Sequence, residues 1–93
     1  KVMERTLTEE QKEAILNFGA FDYGVDKMAS ILGWDSGDVR QLISSESEFA
    51  RLFQKGRDMA EYAIDTKLWN MALSGDTKAF EIFEKRKAQR NWL

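Results

Sequence analysis

The spacing of three residues, Ala29, Gly33 and Val39, constrains the fold of this chain more than any other feature. Ala29 has a side chain small enough to let two helix axes approach each other where they cross. Gly33, four residues later, accepts the positive φ that a tight turn between helices requires. Val39 then falls on the inner face of the following helix, with Leu42 one turn beyond it. This spacing is typical of a helix-turn-helix and favours one here over the alternative, an ordinary αα-corner with a glycine turn.

Helix signals also precede this unit. Thr8 and Gln11 have the spacing of a capping box, in which the Thr8 hydroxyl and the Gln11 amide satisfy each other's backbone N–H groups. The first predicted helix begins there, and Gly19 is expected to end it. The second and third helices are predicted over residues 25–32 and 37–44, with the Ser36 hydroxyl as the N-cap of the third.

The second half of the chain predicts two longer helices. A polar break over residues 44–47 offers a serine cap, and an amphipathic helix is expected from there to about residue 73. Its predicted apolar stripe consists of Phe49, Leu52, Phe53, Met59, Ala60, Ala63, Leu68, Met71 and Ala72. Gly75 is expected to take the left-handed conformation of a helix end, and Asp76 to cap the last helix. The short link predicts that these two helices fold back as an antiparallel hairpin.

The expected fold class is therefore all-α. Residues 1–46 are predicted to form a homeodomain-like three-helix unit that contains the helix-turn-helix, and residues 47–93 a helical hairpin packed on it. Ninety-three residues without proline, rich in strong helix formers, suit one small compact domain.

Composition argues against several classes of function. The chain has no cysteine and no histidine, so it lacks the usual nucleophile, the usual neutral-pH base and the commonest metal ligand. No glycine-rich phosphate loop occurs, and the apolar runs are too short for a membrane span. We therefore expect no enzymatic activity, no cofactor, no metal and no membrane partner.

The predicted recognition helix carries side chains suited to DNA. Its outward positions are Ser36, Gly37, Arg40, Gln41 and Ser44. Arginine pairs with guanine, glutamine pairs with adenine, and serine hydroxyls bind phosphate. The charge of this half opposes that prediction, because residues 1–46 hold five basic and nine acidic residues. The alternative is that Arg40 pairs with Asp35, Asp38 or Glu46 on a solvated surface.

A second basic cluster begins the long helix. Arg51 and Lys55 are four residues apart on one helix face, where they can straddle a phosphate backbone. Pairing with Glu48 and Asp58 on a solvent face is equally compatible with the spacing.

The order of these motifs resembles the N-terminal part of a tailed-bacteriophage terminase small subunit. The resemblance rests on the helix-turn-helix over residues 28–42, the segment of residues 47–57, the Ala-x-x-Gly-Asp-x-x-Ala turn and a basic run near Trp92. The turn is matched by Ala72, Gly75, Asp76 and Ala79. The resemblance implies a non-catalytic packaging factor that binds double-stranded viral DNA and assembles into a homo-oligomeric ring. It also implies delivery of DNA to a large ATPase-nuclease subunit in the cytoplasm of the infected bacterium.

Two other functions fit the same helices. A protein-interaction module would use Tyr62 and Trp69, which lie seven residues apart on the long helix, outside the main apolar stripe. A transcriptional regulator would share the helix-turn-helix but bind as a dimer to paired half-sites.

Overall fold

The computed structural model describes residues 6–90, and this part of the chain is all-helical, as predicted. The five helices are α1 (Glu9–Phe21), α2 (Val25–Leu32), α3 (Ser36–Ile43), α4 (Glu48–Leu73) and α5 (Thr77–Arg90). The chain divides into two compact units, Lys1–Ala60 (unit 1) and Glu61–Leu93 (unit 2), and α4 contributes to both. Trp92, which the sequence places beside the basic run, lies outside the described residues.

The first helix begins as predicted and ends later than predicted. The backbone N–H of Gln11 donates to Thr8 Oγ1 at 3.1 Å, and the backbone N–H of Thr8 donates to Gln11 Oε1 at 3.0 Å, which completes the capping box. The prediction that Gly19 ends the helix is wrong, because α1 continues to Phe21. The helix ends at Asp22, which takes the left-handed conformation at φ 59° and pairs with the Arg57 guanidinium.

Gly19 instead lies where α1 crosses α4. A Cβ atom placed on Gly19 would lie 1.9 Å from the carbonyl oxygen of Phe53 in α4. The contact is reciprocal, because a Cβ on Gly56 would lie 1.9 Å from the carbonyl oxygen of Leu16 in α1. The two backbones therefore touch directly, and the crossing requires glycine on both helices.

The turn between α2 and α3 has the geometry that its residues predict. Gly33 adopts φ 73° and ψ 29°, and the backbone N–H of Trp34 donates to the Ala29 carbonyl at 3.0 Å, which closes the end of α2. α2 packs against α3. Ala29, Val39 and Leu42 are all buried. The helix boundaries agree with the prediction at α2 and begin and end one residue earlier at α3.

The core of unit 1 collects apolar side chains from each of its helices. It consists of Leu7, Ile15, Phe18, Met28, Ala29, Val39, Leu42 and Phe49. Ser47 is buried beside this core, where its hydroxyl donates to the Leu42 carbonyl at 2.7 Å and accepts from the backbone N–H of Ala50 at 3.1 Å. The predicted serine cap of the long helix is thus Ser47, and both of its hydrogen bonds are buried or half-buried.

Unit 2 consists of the last part of α4, a three-residue turn and α5. Gly75 takes the predicted left-handed conformation at φ 104°, and Asp76 Oδ1 accepts from the backbone N–H of Ala79 at 3.0 Å, as predicted. Trp69 packs against Phe83, with the ring centroids 5.4 Å apart. The apolar stripe predicted along α4 is not continuous, since Met59 and Ala63 are exposed.

Candidate nucleic-acid interface

α3 has one buried side and one exposed side. Val39 and Leu42 are buried, whereas Arg40, Gln41 and Ser44 are exposed. Ser36 and Gly37, at the start of the helix, are half-buried. Of the five residues of this helix that are predicted to contact DNA, three are therefore open to a partner and two are partly covered.

The cap of α3 differs from the prediction. Asp35, not Ser36, is the N-cap, because Asp35 Oδ2 accepts from the backbone N–H groups of Gly37 at 2.9 Å and Asp38 at 3.3 Å. The carboxylate is bound to the positive end of the helix dipole, where an anion is stabilised. Ser36 is the first helical residue, and its hydroxyl does not cap the helix. The cap of α3 is therefore the anionic side chain of Asp35 and not the neutral hydroxyl of the next residue.

Arg40 has an acidic neighbour on another helix, outside the three predicted partners. Its Nη2 lies 4.0 Å from Asp26 Oδ1, on the first turn of α2, and both side chains are largely exposed. The three predicted partners were Asp35, Asp38 and Glu46. Because the pair is long and solvated, it holds the guanidinium weakly and leaves it able to exchange Asp26 for another anion.

Ser44 is partly committed to its own helix. Its hydroxyl donates to the Arg40 carbonyl at 2.8 Å, which leaves the Ser44 oxygen as an acceptor. Gln41 is exposed on the same side of α3. Gln41 therefore offers donor and acceptor groups to a partner, whereas Ser44 would have to give up an internal hydrogen bond in order to donate to phosphate.

Arg51 and Lys55, the two basic residues predicted to bind phosphate from the long helix, are both exposed on α4. Arg51 Nη1 donates to the Glu46 carbonyl at 3.1 Å, which attaches the guanidinium to the loop that follows α3. Lys55 is exposed one turn further along. The acidic residues predicted as alternative partners are engaged elsewhere: Asp58 accepts from Gln54 at 2.9 Å, and Glu48 lies 3.6 Å from Lys12.

The Glu48 contact has an electrostatic effect of its own. Lys12 lies between two carboxylates, and the charge of Glu48, assisted by a hydrogen bond to Glu9, raises the pKa of the Lys12 amine above its usual 10.5. Lys12 therefore stays charged and neutralises part of the acidic charge at the starts of α1 and α4.

All seven predicted contact residues lie in unit 1, five on α3 or at its end and two on α4. Sequence reasoning missed two contacts, the one between Arg40 and Asp26 and the one between Arg51 and the backbone carbonyl of Glu46. No signal in the local sequence identifies these contacts, since Asp26 lies on a different helix from Arg40 and Glu46 contributes only a backbone carbonyl.

Residues 6–90 contain no group of three His, Cys, Asp or Glu side chains placed to hold a metal ion. None of the helices in this part of the chain is both long and apolar enough to cross a membrane. An open hollow of about 230 Å³ on unit 2 is lined by Glu61, Arg86, Gln89 and Arg90, but both arginines already bind Asp65, at 2.8 and 2.6 Å.

Comparison of the chain with protein-family models, with curated proteins and with solved structures finds no match.

Proposed function

We propose that the chain is the DNA-recognition part of a tailed-bacteriophage terminase small subunit. In this proposal α2, the Gly33 turn and α3 form a helix-turn-helix, and α4 and α5 form an antiparallel hairpin. The protein is non-catalytic, assembles into a homo-oligomeric ring in the cytoplasm of the infected bacterium, and presents double-stranded viral DNA to the large ATPase-nuclease subunit. The observation that carries the proposal is α3, which buries Val39 and Leu42 against the core and leaves Arg40 and Gln41 exposed.

The chemistry of α3 suits the major groove. A helix fits that groove, where arginine donates two hydrogen bonds to guanine and glutamine forms a matched pair with adenine. Arg51 and Lys55 are exposed on α4, and the Arg51 guanidinium is bound to the loop that joins α3 to α4. In this proposal the two side chains supply cations for the phosphate backbone. Base contacts would then come from α3 and positioning contacts from α4.

The net charge of unit 1 limits how tightly one copy binds. The first 60 residues contain eight basic and eleven acidic residues, a net charge of −3. Phosphate contacts supply most of the non-specific affinity of a DNA-binding protein, so a single acidic domain binds weakly. A ring compensates, since several weak contacts on one DNA molecule add through effective concentration.

Fluorescence anisotropy with labelled duplex from the packaging region of the viral genome, at low salt, tests the proposal. Arg40→Ala is expected to weaken binding by about 10- to 100-fold, the cost of one bidentate base contact. Asp26→Asn is expected to strengthen binding, because it removes the carboxylate that competes for Arg40. Lys67→Ala is the matched control, since it removes one exposed cation from unit 2 and is expected to leave affinity within about twofold.

Contacts between α4 and the DNA phosphates are tested by a different measurement, the dependence of affinity on salt. Lys55→Ala is expected to weaken binding to all sequences alike and to reduce the slope of log affinity against log salt by about one. No binding by the parent protein at low salt would refute the DNA function, and Arg40→Ala binding as well as the parent would refute the role of α3.

A further inference from the structure

Two arginines of α5 share one carboxylate of α4. Asp65 is half-buried and accepts a hydrogen bond on each of its oxygens. Arg86 Nε donates to Oδ1 at 2.8 Å, and Arg90 Nη1 donates to Oδ2 at 2.6 Å. Because Arg86 and Arg90 are four residues apart, they lie one turn apart on the same face of α5. The shared carboxylate therefore holds the two guanidinium groups beside each other.

Each guanidinium keeps most of its hydrogen-bonding capacity. Arginine carries more N–H donors than any other side chain, and each of these two uses one donor for Asp65. Within residues 6–90 the structure gives neither side chain another hydrogen bond or ion pair. Since Arg86 bonds through Nε, its two Nη nitrogens form an edge that is available to two oxygens of one anion.

Both arginines line the open hollow of about 230 Å³ in unit 2, together with Glu61 and Gln89. A water molecule takes about 30 Å³ of liquid volume, so the hollow has room for a group of several heavy atoms. Gln89 is exposed and its amide adds further donors to the lining. The hollow is therefore a place where a ligand with several oxygen atoms meets convergent N–H groups.

The charges around the hollow favour an anion. The two arginines and Asp65 together carry one net positive charge, and residues 85–90 contain four basic residues and no acidic one. Glu61 is the opposing charge in the lining. It is exposed, so water and salt screen its repulsion of an anion.

The arrangement of donors selects among anions. One arginine edge satisfies both oxygens of a carboxylate, whereas two adjacent arginines and an amide offer donors to more oxygens than a carboxylate has. We propose that the hollow of unit 2 binds a phosphate group through Arg86 and Arg90, with Asp65 as the residue that positions them. The proposal does not depend on DNA recognition by α3, because all of these residues lie in unit 2.

Nuclear magnetic resonance of the isotope-labelled chain tests the site, with inorganic phosphate titrated against chloride at constant pH and ionic strength. The parent is expected to show saturable shifts of the Arg86 Nε–H signal and of the backbone amides of residues 86–90. Arg86→Lys keeps the charge but loses the planar edge, and is expected to weaken phosphate binding at least about tenfold. Lys85→Ala is the matched control, because it removes a whole charge from the neighbouring position, outside the lining of the hollow. It is expected to change the affinity less than about threefold.

Two further variants separate loss of binding from loss of structure. Arg90→Lys alters the more exposed of the two guanidinium groups and leaves Arg86 bonded to Asp65. It is expected to weaken phosphate binding at least about threefold, with a Tm close to that of the parent. Glu61→Gln removes the opposing carboxylate and is expected to strengthen phosphate binding at least about twofold, a gain that unfolding cannot produce.

Anisotropy with a labelled duplex identifies where the phosphate group comes from. If Arg90→Lys weakens duplex binding at least about threefold, the site binds the DNA backbone. If duplex affinity is unchanged while phosphate binding is lost, the site binds a free phosphate compound. A parent that binds phosphate but no duplex would refute the proposed function and retain the phosphate site. Shifts that do not saturate, or phosphate affinity that Arg86→Lys and Arg90→Lys leave unchanged, would overturn the site.

Discussion

Gly56 is a position at which one added methyl group is expected to lower the stability of the fold substantially. Gly56 lies inside α4, where replacement of glycine by alanine normally stabilises a helix by about 1 kcal/mol. Here the new Cβ would lie 1.9 Å from the Leu16 carbonyl oxygen and 2.9 Å from the Leu16 Cα. Both neighbours are backbone atoms, so no side-chain rotation can relieve the overlap, and α1 must move away from α4.

The size of the effect follows from these two opposing terms. Overpacking of a well-packed contact costs about 1–3 kcal/mol, and we take the upper end because the obstacle is backbone. Subtracting the gain in helix propensity leaves a net loss of about 2 kcal/mol in the free energy of unfolding. For a domain of this length, that loss corresponds to a fall in Tm of about 8–16 °C.

Thermal unfolding followed by circular dichroism measures the change, with Gly24→Ala as the control. A Cβ on Gly24 would have no atom within 4 Å, so the same substitution there is expected to change stability by less than about 1 kcal/mol. Gly19→Ala is expected to match Gly56→Ala, and the double variant to cost less than the sum, since the helices need to separate only once. A Gly56→Ala protein as stable as the parent would refute the close crossing.

Two further predictions concern caps and ion pairs. Asp35→Ala is expected to lower the free energy of unfolding by about 1 kcal/mol, while Ser36→Ala changes it little; the reverse order in denaturant titrations would restore the serine cap. The Arg86 guanidinium, which donates to Asp65 at 2.8 Å, lowers the pKa of the Asp65 carboxyl below its ordinary 3.8. The ionised carboxyl therefore stabilises the fold above that pH, and the stabilisation is lost as the pH falls through the lowered pKa. Asp65→Asn should accordingly have a lower Tm than the parent at pH 7, and the difference should vanish in acid; a difference that persists at low pH would contradict the ion pair.

Sequence reasoning succeeded where the deciding contacts are local. The Thr8 capping box, the left-handed Gly33 and the Asp76 cap are each set by atoms within a few residues of one another, so residue type and spacing determine them. The cap of α3 shows the limit of this reasoning. Asp35 and Ser36 are both good N-cap residues, and the choice between them depends on where the preceding turn leaves the chain.

The role of a glycine in a sequence is also ambiguous, because it depends on contacts with distant segments. Gly19 has the sequence signature of a helix end, yet it lies inside α1 and permits contact with Phe53 on α4. The two uses of glycine, positive φ and a missing Cβ, look the same in a sequence and differ only in which other segment comes close. The ion pair of Arg40 could not be predicted for the same reason, because the packing of α2 on α3 brings Asp26 close to it.

On α4 the period of the apolar residues does not predict which of them are buried. A period of three to four residues establishes that side chains share a face of a helix, but it does not state what covers that face. Phe49 is buried in the core of unit 1, whereas Tyr62 and Leu73 are exposed. The same helix therefore supplies a core residue in its first turn and exposed apolar side chains near its end, and the apolar period alone does not distinguish the two.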